Sequence, residues 1–125
     1  MKIIIYLGGL YNLAFALFHI GFWKMLKWNE ALEKLDLMNR AVMQTLNVHL
    51  IYYLFFVTFA CIAFPAELMN TKLGNAFLLG CSLFWLLRIV NQFIFFETNG
   101  FVSVLSSVIM FGIGVVLFAL PVLKK

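Results

Sequence analysis

Charge is what this chain has least of. Only 11% of its 125 residues are charged, against 65% hydrophobic. A soluble domain of this size would have too little polar surface to show water, so a soluble globular fold is excluded. No run of basic residues marks a nucleic-acid surface, and the net charge of +4 is scattered along the sequence. Cysteine is scarce too. Cys61 and Cys81 are the two present, each inside an apolar run, with no CxxC spacing for metal or redox chemistry. Both read as small buried hydrophobes on the Pro65 side of the membrane, close enough in depth for contact. The alternating short strands of a membrane barrel are missing, as are linkers, repeats and low-complexity segments.

Present instead are four long apolar runs, at 3–23, 41–64, 73–96 and 101–123. Each can cross a hydrocarbon core of about 30 Å as a helix. The expected fold is all-α: an integral membrane four-helix bundle, up-down-up-down, forming a single transmembrane domain over 1–125. Residues 24–40 make the one substantial surface loop, with a short surface helix capped by Asn29 and with Leu32 and Leu35 facing the membrane or the bundle. Asn39 is the expected N-cap of the second long helix, and Pro65 closes that helix. Thr98-Asn99-Gly100 forms a tight turn that makes the third and fourth helices antiparallel neighbours. Lys2 and Ala14-Phe-Ala16 give the first run some signal-peptide character, but Asn12 interrupts it and the apolar stretch continues to Trp23, so a retained helix is expected. Lys2, Lys72, Lys124 and Lys125 fall on one membrane side and Lys24, Lys27, Lys34 and Arg40 on the other, so the charge balance assigns no orientation.

Polar residues within the runs carry the functional signal. Arg88 lies roughly 12 Å from the end of its run at about 1.5 Å per residue. A cation at the bilayer centre costs about 2.5–3.5 kcal/mol, so it needs a partner or a purpose. Arg40, Gln44 and Asn47 share a sector of about 60° on the second helix, and Arg88, Asn91 and Gln92 one of about 100° on the third. Asn12 and His19 are seven apart on the first helix, with Phe15 between them. Most of these groups, with Glu97, fall in one half of the bilayer, which points to a ligand pocket opening on that face rather than scattered helix glue. Arg40 and Arg88 would hold an anionic group, and Gln44, Asn47, Asn91 and Gln92 would orient it. Trp85, Phe84 and Phe95 would line the apolar wall. Arg88 is also the best catalytic candidate.

Structural roles compete with this reading. Arg88 can snorkel, or pair with Glu97 or a carbonyl, and Arg40 can lie at the headgroups. Gln44, Asn47 and Asn91 can simply bond between helices. His19 and His49 would be the axial ligands if the chain bound haem b, although His49 sits opposite Asn47 and faces another helix or subunit. On the fourth helix Ser103, Ser107 and Gly114, with Met110 between them, form a small-residue packing face, within the bundle or between subunits. That face and the short loops also fit a non-enzymatic accessory or assembly subunit of a larger membrane complex.

Residues 40–47, Arg-Ala-Val-Met-Gln-Thr-Leu-Asn, resemble the second-helix motif of the membrane-associated eicosanoid and glutathione metabolism (MAPEG) family: Arg-Ala, two residues, Asn, two residues, Glu. Arg88-Ile89, Asn91 and the phenylalanine-rich run after them are similar to its third helix. The resemblance implies a homotrimer with a glutathione or lipid site between subunits, and glutathione-dependent transferase or peroxidase activity. Gln44 replaces the family's Asn and Asn47 its Glu, which removes a negative charge. Phe93, Phe95 and Phe96 replace its tyrosines. No basic residue lies between Arg88 and Lys124, so Arg88 is the one deep cation that could support a thiolate.

Overall fold

The computed structural model describes residues 1–96 and 99–124. The chain is all-α. Four helices are long and apolar enough to cross a membrane: α1 (Lys2–Ile20), α4 (Leu37–Ala63), α6 (Lys72–Phe95) and α7 (Phe101–Leu123). Three short helices join them: α2 (Phe22–Met25), α3 (Trp28–Ala31) and α5 (Pro65–Asn70), with a 3-10 turn at Leu32–Lys34. At most a third of each long helix's apolar window is buried, so most of its side chains face outward, as lipid contact requires.

Three expected boundaries are corrected. The first span stops at Ile20, not Trp23, because the chain turns at Gly21 into the separate helix α2. The second long helix starts at Leu37 rather than 41, and Asn39 is not its cap. Asp36 holds that place: its carboxylate accepts the Asn39 backbone N–H at 3.3 Å and the Asn39 side-chain amide, while its carbonyl accepts the Arg40 N–H at 3.0 Å. Asn29 does not cap the surface helix either. Helix α3 begins after Lys27, whose φ of 53° and ψ of 48° are left-handed, a conformation that L side chains adopt at a cost. The expected short surface helix is present as α3 and the 3-10 turn, starting after Lys27 instead of Asn29, with Trp28 and Leu32 buried. Pro65 ends the second long helix as expected, sitting in the first turn of α5. Thr98, in the expected turn, lies outside the described residues.

The contacts divide the chain into two compact units. The first comprises Met1–Gly8 and Cys61–Lys125. Its main feature is the α6–α7 pair. Gly74, Leu78, Cys81, Trp85 and Gln92 are buried at spacings of four, three, four and seven, a helical stripe into which Arg88 also falls. From α7, Phe111, Gly114, Phe118 and Pro121 form the buried stripe. The Ser82 hydroxyl donates to the Val115 carbonyl at 2.8 Å, and the rings of Trp85 and Phe111 stack at 5.8 Å and 15°. Rising numbers on α6 meet falling numbers on α7, so the pair is antiparallel. The expected small-residue face is met in part: Gly114 is buried and Ser107 half-buried, but Ser103 and Met110 are exposed.

Helix α6 starts at Thr71, whose hydroxyl oxygen accepts the Gly74 N–H at 2.9 Å and donates to the Glu67 carbonyl at 2.7 Å. Gly74 lies so close to α5 that a Cβ there would collide with the backbone of Glu67 and Leu68. Cys61 and Cys81 are both buried thiols in this unit. At its N-terminal segment Gly8 lies under the Phe118 ring, which a Cβ would meet at 3.1 Å.

The second unit comprises Gly9–Ala60. Here α1 and α4 are tied by side chains bonding to backbone. The Thr58 hydroxyl is 2.9 Å from both the Gly9 and the Leu54 carbonyls, and the Asn47 amide donates to the His19 carbonyl at 3.3 Å. Asn12, Leu54 and Val57 are fully buried. At the α1–α2–α3 corner Phe22 packs edge-on against Phe18 (5.0 Å) and Trp28 (5.7 Å), and Trp23 against Trp28 (5.4 Å).

Candidate functional site

Arg88 occupies the α6–α7 seam, one turn beyond Trp85 and one before Gln92. Its Nη1 donates to the Gln92 side-chain oxygen at 3.2 Å. Its guanidinium carbon lies 4.5 Å from the centre of the Phe96 ring and 4.4 Å from that of Phe111. Two aromatic faces thus receive the cation where the surroundings offer few polar groups. Gln92 is buried and Arg88 half-buried. Among the described residues no carboxylate pairs with this guanidinium. Glu97, the expected ion-pair partner, lies outside the described residues.

The aromatic wall differs from the expected one. Trp85 is in it, buried and stacked on Phe111, and half-buried Phe84 meets Trp85 edge-on at 5.1 Å. Phe95 is 77% exposed and contributes nothing to it. At the guanidinium itself the rings are Phe96 and Phe111. Phe111 carried no signal of its own, being one apolar residue in the most apolar helix. The α6 spacing could have put Arg88 in the seam, but naming its partner required the register of α7. Asn91 is exposed, on the flank of the stripe.

In the other unit, the structure brings the first- and second-helix polar stripes together through the Asn47–His19 bond. Asn47 is buried and Gln44 half-buried. Arg40 is half-buried, and its Nε is enclosed without a hydrogen-bond partner among the described residues. His19 is half-buried, with Nδ1 2.8 Å from the Phe15 carbonyl and its ring against Phe22 at 4.4 Å. His49 is exposed, with Nδ1 2.9 Å from the Thr45 carbonyl. A carbonyl only accepts, so in both rings Nδ1 carries a proton. Of the six proposed ligand residues, Arg40, Gln44 and Asn47 belong to one unit and Arg88, Asn91 and Gln92 to the other. No group of three or more metal-ligating side chains occurs among the described residues.

None of the family models, curated proteins or solved structures compared with the chain matches it. The MAPEG resemblance therefore rests on the motif residues alone.

Proposed function

We propose that this membrane protein holds an anionic amphiphile, with Arg88 binding its carboxylate or phosphate and the apolar flanks of α6 and α7 receiving its tail. One observation supports the reading: an arginine at span depth that keeps donor capacity. A guanidinium has five N–H donors. Here one bond goes to Gln92, while the Phe96 and Phe111 rings contact the cation without offering lone pairs. The planar fork suits two oxygens of one anion, and the Gln92 bond restrains its rotation. The reading uses Arg88, Gln92, Phe96 and Phe111, all in one unit.

Oleate and oleyl alcohol, which share a tail and differ in charge, test it. In detergent-solubilised protein, oleate should bind at least about tenfold more tightly than the alcohol, a difference of about 1.4 kcal/mol. Arg88→Gln should remove that preference, and Glu97→Gln should keep it. A preference unchanged in Arg88→Gln sinks the proposal. The family resemblance adds glutathione as another anionic ligand and a homotrimer as its setting. Glutathione that competes with oleate in the wild type but not in Arg88→Gln would extend the reading to thiol chemistry.

A further inference from the structure

The α7 stripe that packs on α6 continues past Phe111 toward the start of the helix. Ser107, Phe111, Gly114, Phe118 and Pro121 follow one face at spacings of four, three, four and three. The last four are buried and Ser107 is half-buried, so the seam is open on one side at that turn. The register of the pair sets what lies opposite. Ser82 bonds to Val115, and Trp85, three residues on, stacks on Phe111, four residues back. One more such step along both helices sets Arg88 against Ser107. The ring contact agrees. Helical side chains lean toward the N-terminus, so the Phe111 ring covers the turn of Ser107, and the Arg88 guanidinium carbon is 4.4 Å from the centre of that ring.

The Ser107 hydroxyl is uncommitted. The Ser82 hydroxyl donates across the seam at 2.8 Å, and that of Thr58 lies 2.9 Å from the Leu54 carbonyl one turn back. Ser107 does neither: its hydroxyl has no hydrogen-bond partner among the described residues. A half-buried donor beside a cation, with no acceptor from the protein, suits an acceptor that the ligand brings. We infer that the anionic head held at Arg88 is a phosphate monoester rather than a carboxylate, and that Ser107 is a second residue that binds it. This rests on the reading of Arg88 as an anion site. A carboxylate has two oxygens, and the guanidinium fork engages both. A phosphate monoester has a third terminal oxygen, which lies beyond the fork and accepts the Ser107 O–H.

Oleyl phosphate, oleyl sulfate, oleate and oleyl alcohol share one tail and test this in the detergent-solubilised protein. The sulfate has three terminal oxygens but only the single charge of oleate, which separates oxygen count from charge. Both three-oxygen heads should bind at least about fivefold more tightly than oleate, the scale of one hydrogen bond to a charged group. Ser107→Ala should remove that advantage and leave oleate within about twofold, whereas Ser107→Thr, which keeps the hydroxyl, should retain it. If oleate exceeds the alcohol but equals both three-oxygen heads, Ser107 has no such role and the Arg88 reading stands. A gain for the phosphate without one for the sulfate would show charge alone at work and overturn the inference. So would a Ser107→Ala loss shared equally by oleate, or no loss at all. No preference for any anion over the alcohol would remove the Arg88 reading and this one with it.

Discussion

Both units carry a side-chain-to-carbonyl bond between helices, Ser82 to Val115 in one and Thr58 to Gly9 in the other, but they differ in what accompanies it. In the α6–α7 unit the seam is aromatic: Trp85 stacks on Phe111, and Arg88 settles between Phe111 and Phe96. In the unit of Gly9–Ala60, short polar side chains reach across to main-chain carbonyls, Thr58 to Gly9 and Asn47 to His19. In lipid, water does not drive helices together, so association depends on contact area and on hydrogen bonds. A broad ring supplies the first, and a hydroxyl or amide the second. The surroundings of the two arginines differ as well. A guanidinium can rest on aromatic faces in the first unit, whereas in the second the Arg40 Nε is enclosed and finds no partner among the described residues.

Substitutions can break or sharpen this contrast. The largest expected effect is Trp85→Ala, which empties the centre of the aromatic seam and should cost about 3–5 kcal/mol, read by denaturant titration of the solubilised protein. A loss under about 1 kcal/mol would show that area is not what joins α6 to α7. Next is Gly74→Ala, which drives a methyl group into the backbone of Glu67 and Leu68. It should cost about 1–3 kcal/mol and lower the melting temperature. Two hydroxyl deletions should be smaller and similar, Thr58→Val in one unit and Ser82→Ala in the other. Each removes one bond to a carbonyl of a neighbouring helix and should cost about 0.6–1.7 kcal/mol. If Thr58→Val costs several times more than Ser82→Ala, the second unit depends on its polar ties more than the first, and the contrast sharpens. The smallest effect is Lys27→Gly. It relieves the left-handed backbone at the α2–α3 corner and should stabilise by about 0.5–1 kcal/mol, seen as a small rise in melting temperature.

Much of the architecture was legible because lipid imposes length and polarity. The apolar runs locate the four long helices to within a few residues. The errors lie where local capping decides: Asp36 takes the cap expected of Asn39, α1 stops before Gly21, and the surface helix starts after Lys27 instead of Asn29. Of the polar residues, the α6 group was legible as a stripe through Arg88 and Gln92. The Phe111 ring that receives Arg88 was not, because nothing distinguishes one phenylalanine from another until a neighbouring helix sets its register. Phe95 shows the same limit from the other side: it is the last residue of α6 and is exposed, whereas Phe96, the extended residue that follows, lays its ring against Arg88.

The sequence by itself determined that the chain is helical, that it has four runs fit for a membrane, and that a costly cation lies within the third. Hydrophobic length and charge scarcity act residue by residue, so no partner is needed to read them. Only the tertiary structure decided that Arg88 rests on Phe96 and Phe111, that Asn47 ties α4 to His19, and that His49 is left on an outer face. Those outcomes depend on helix rotation and register, which packing across the helices sets and no single run encodes.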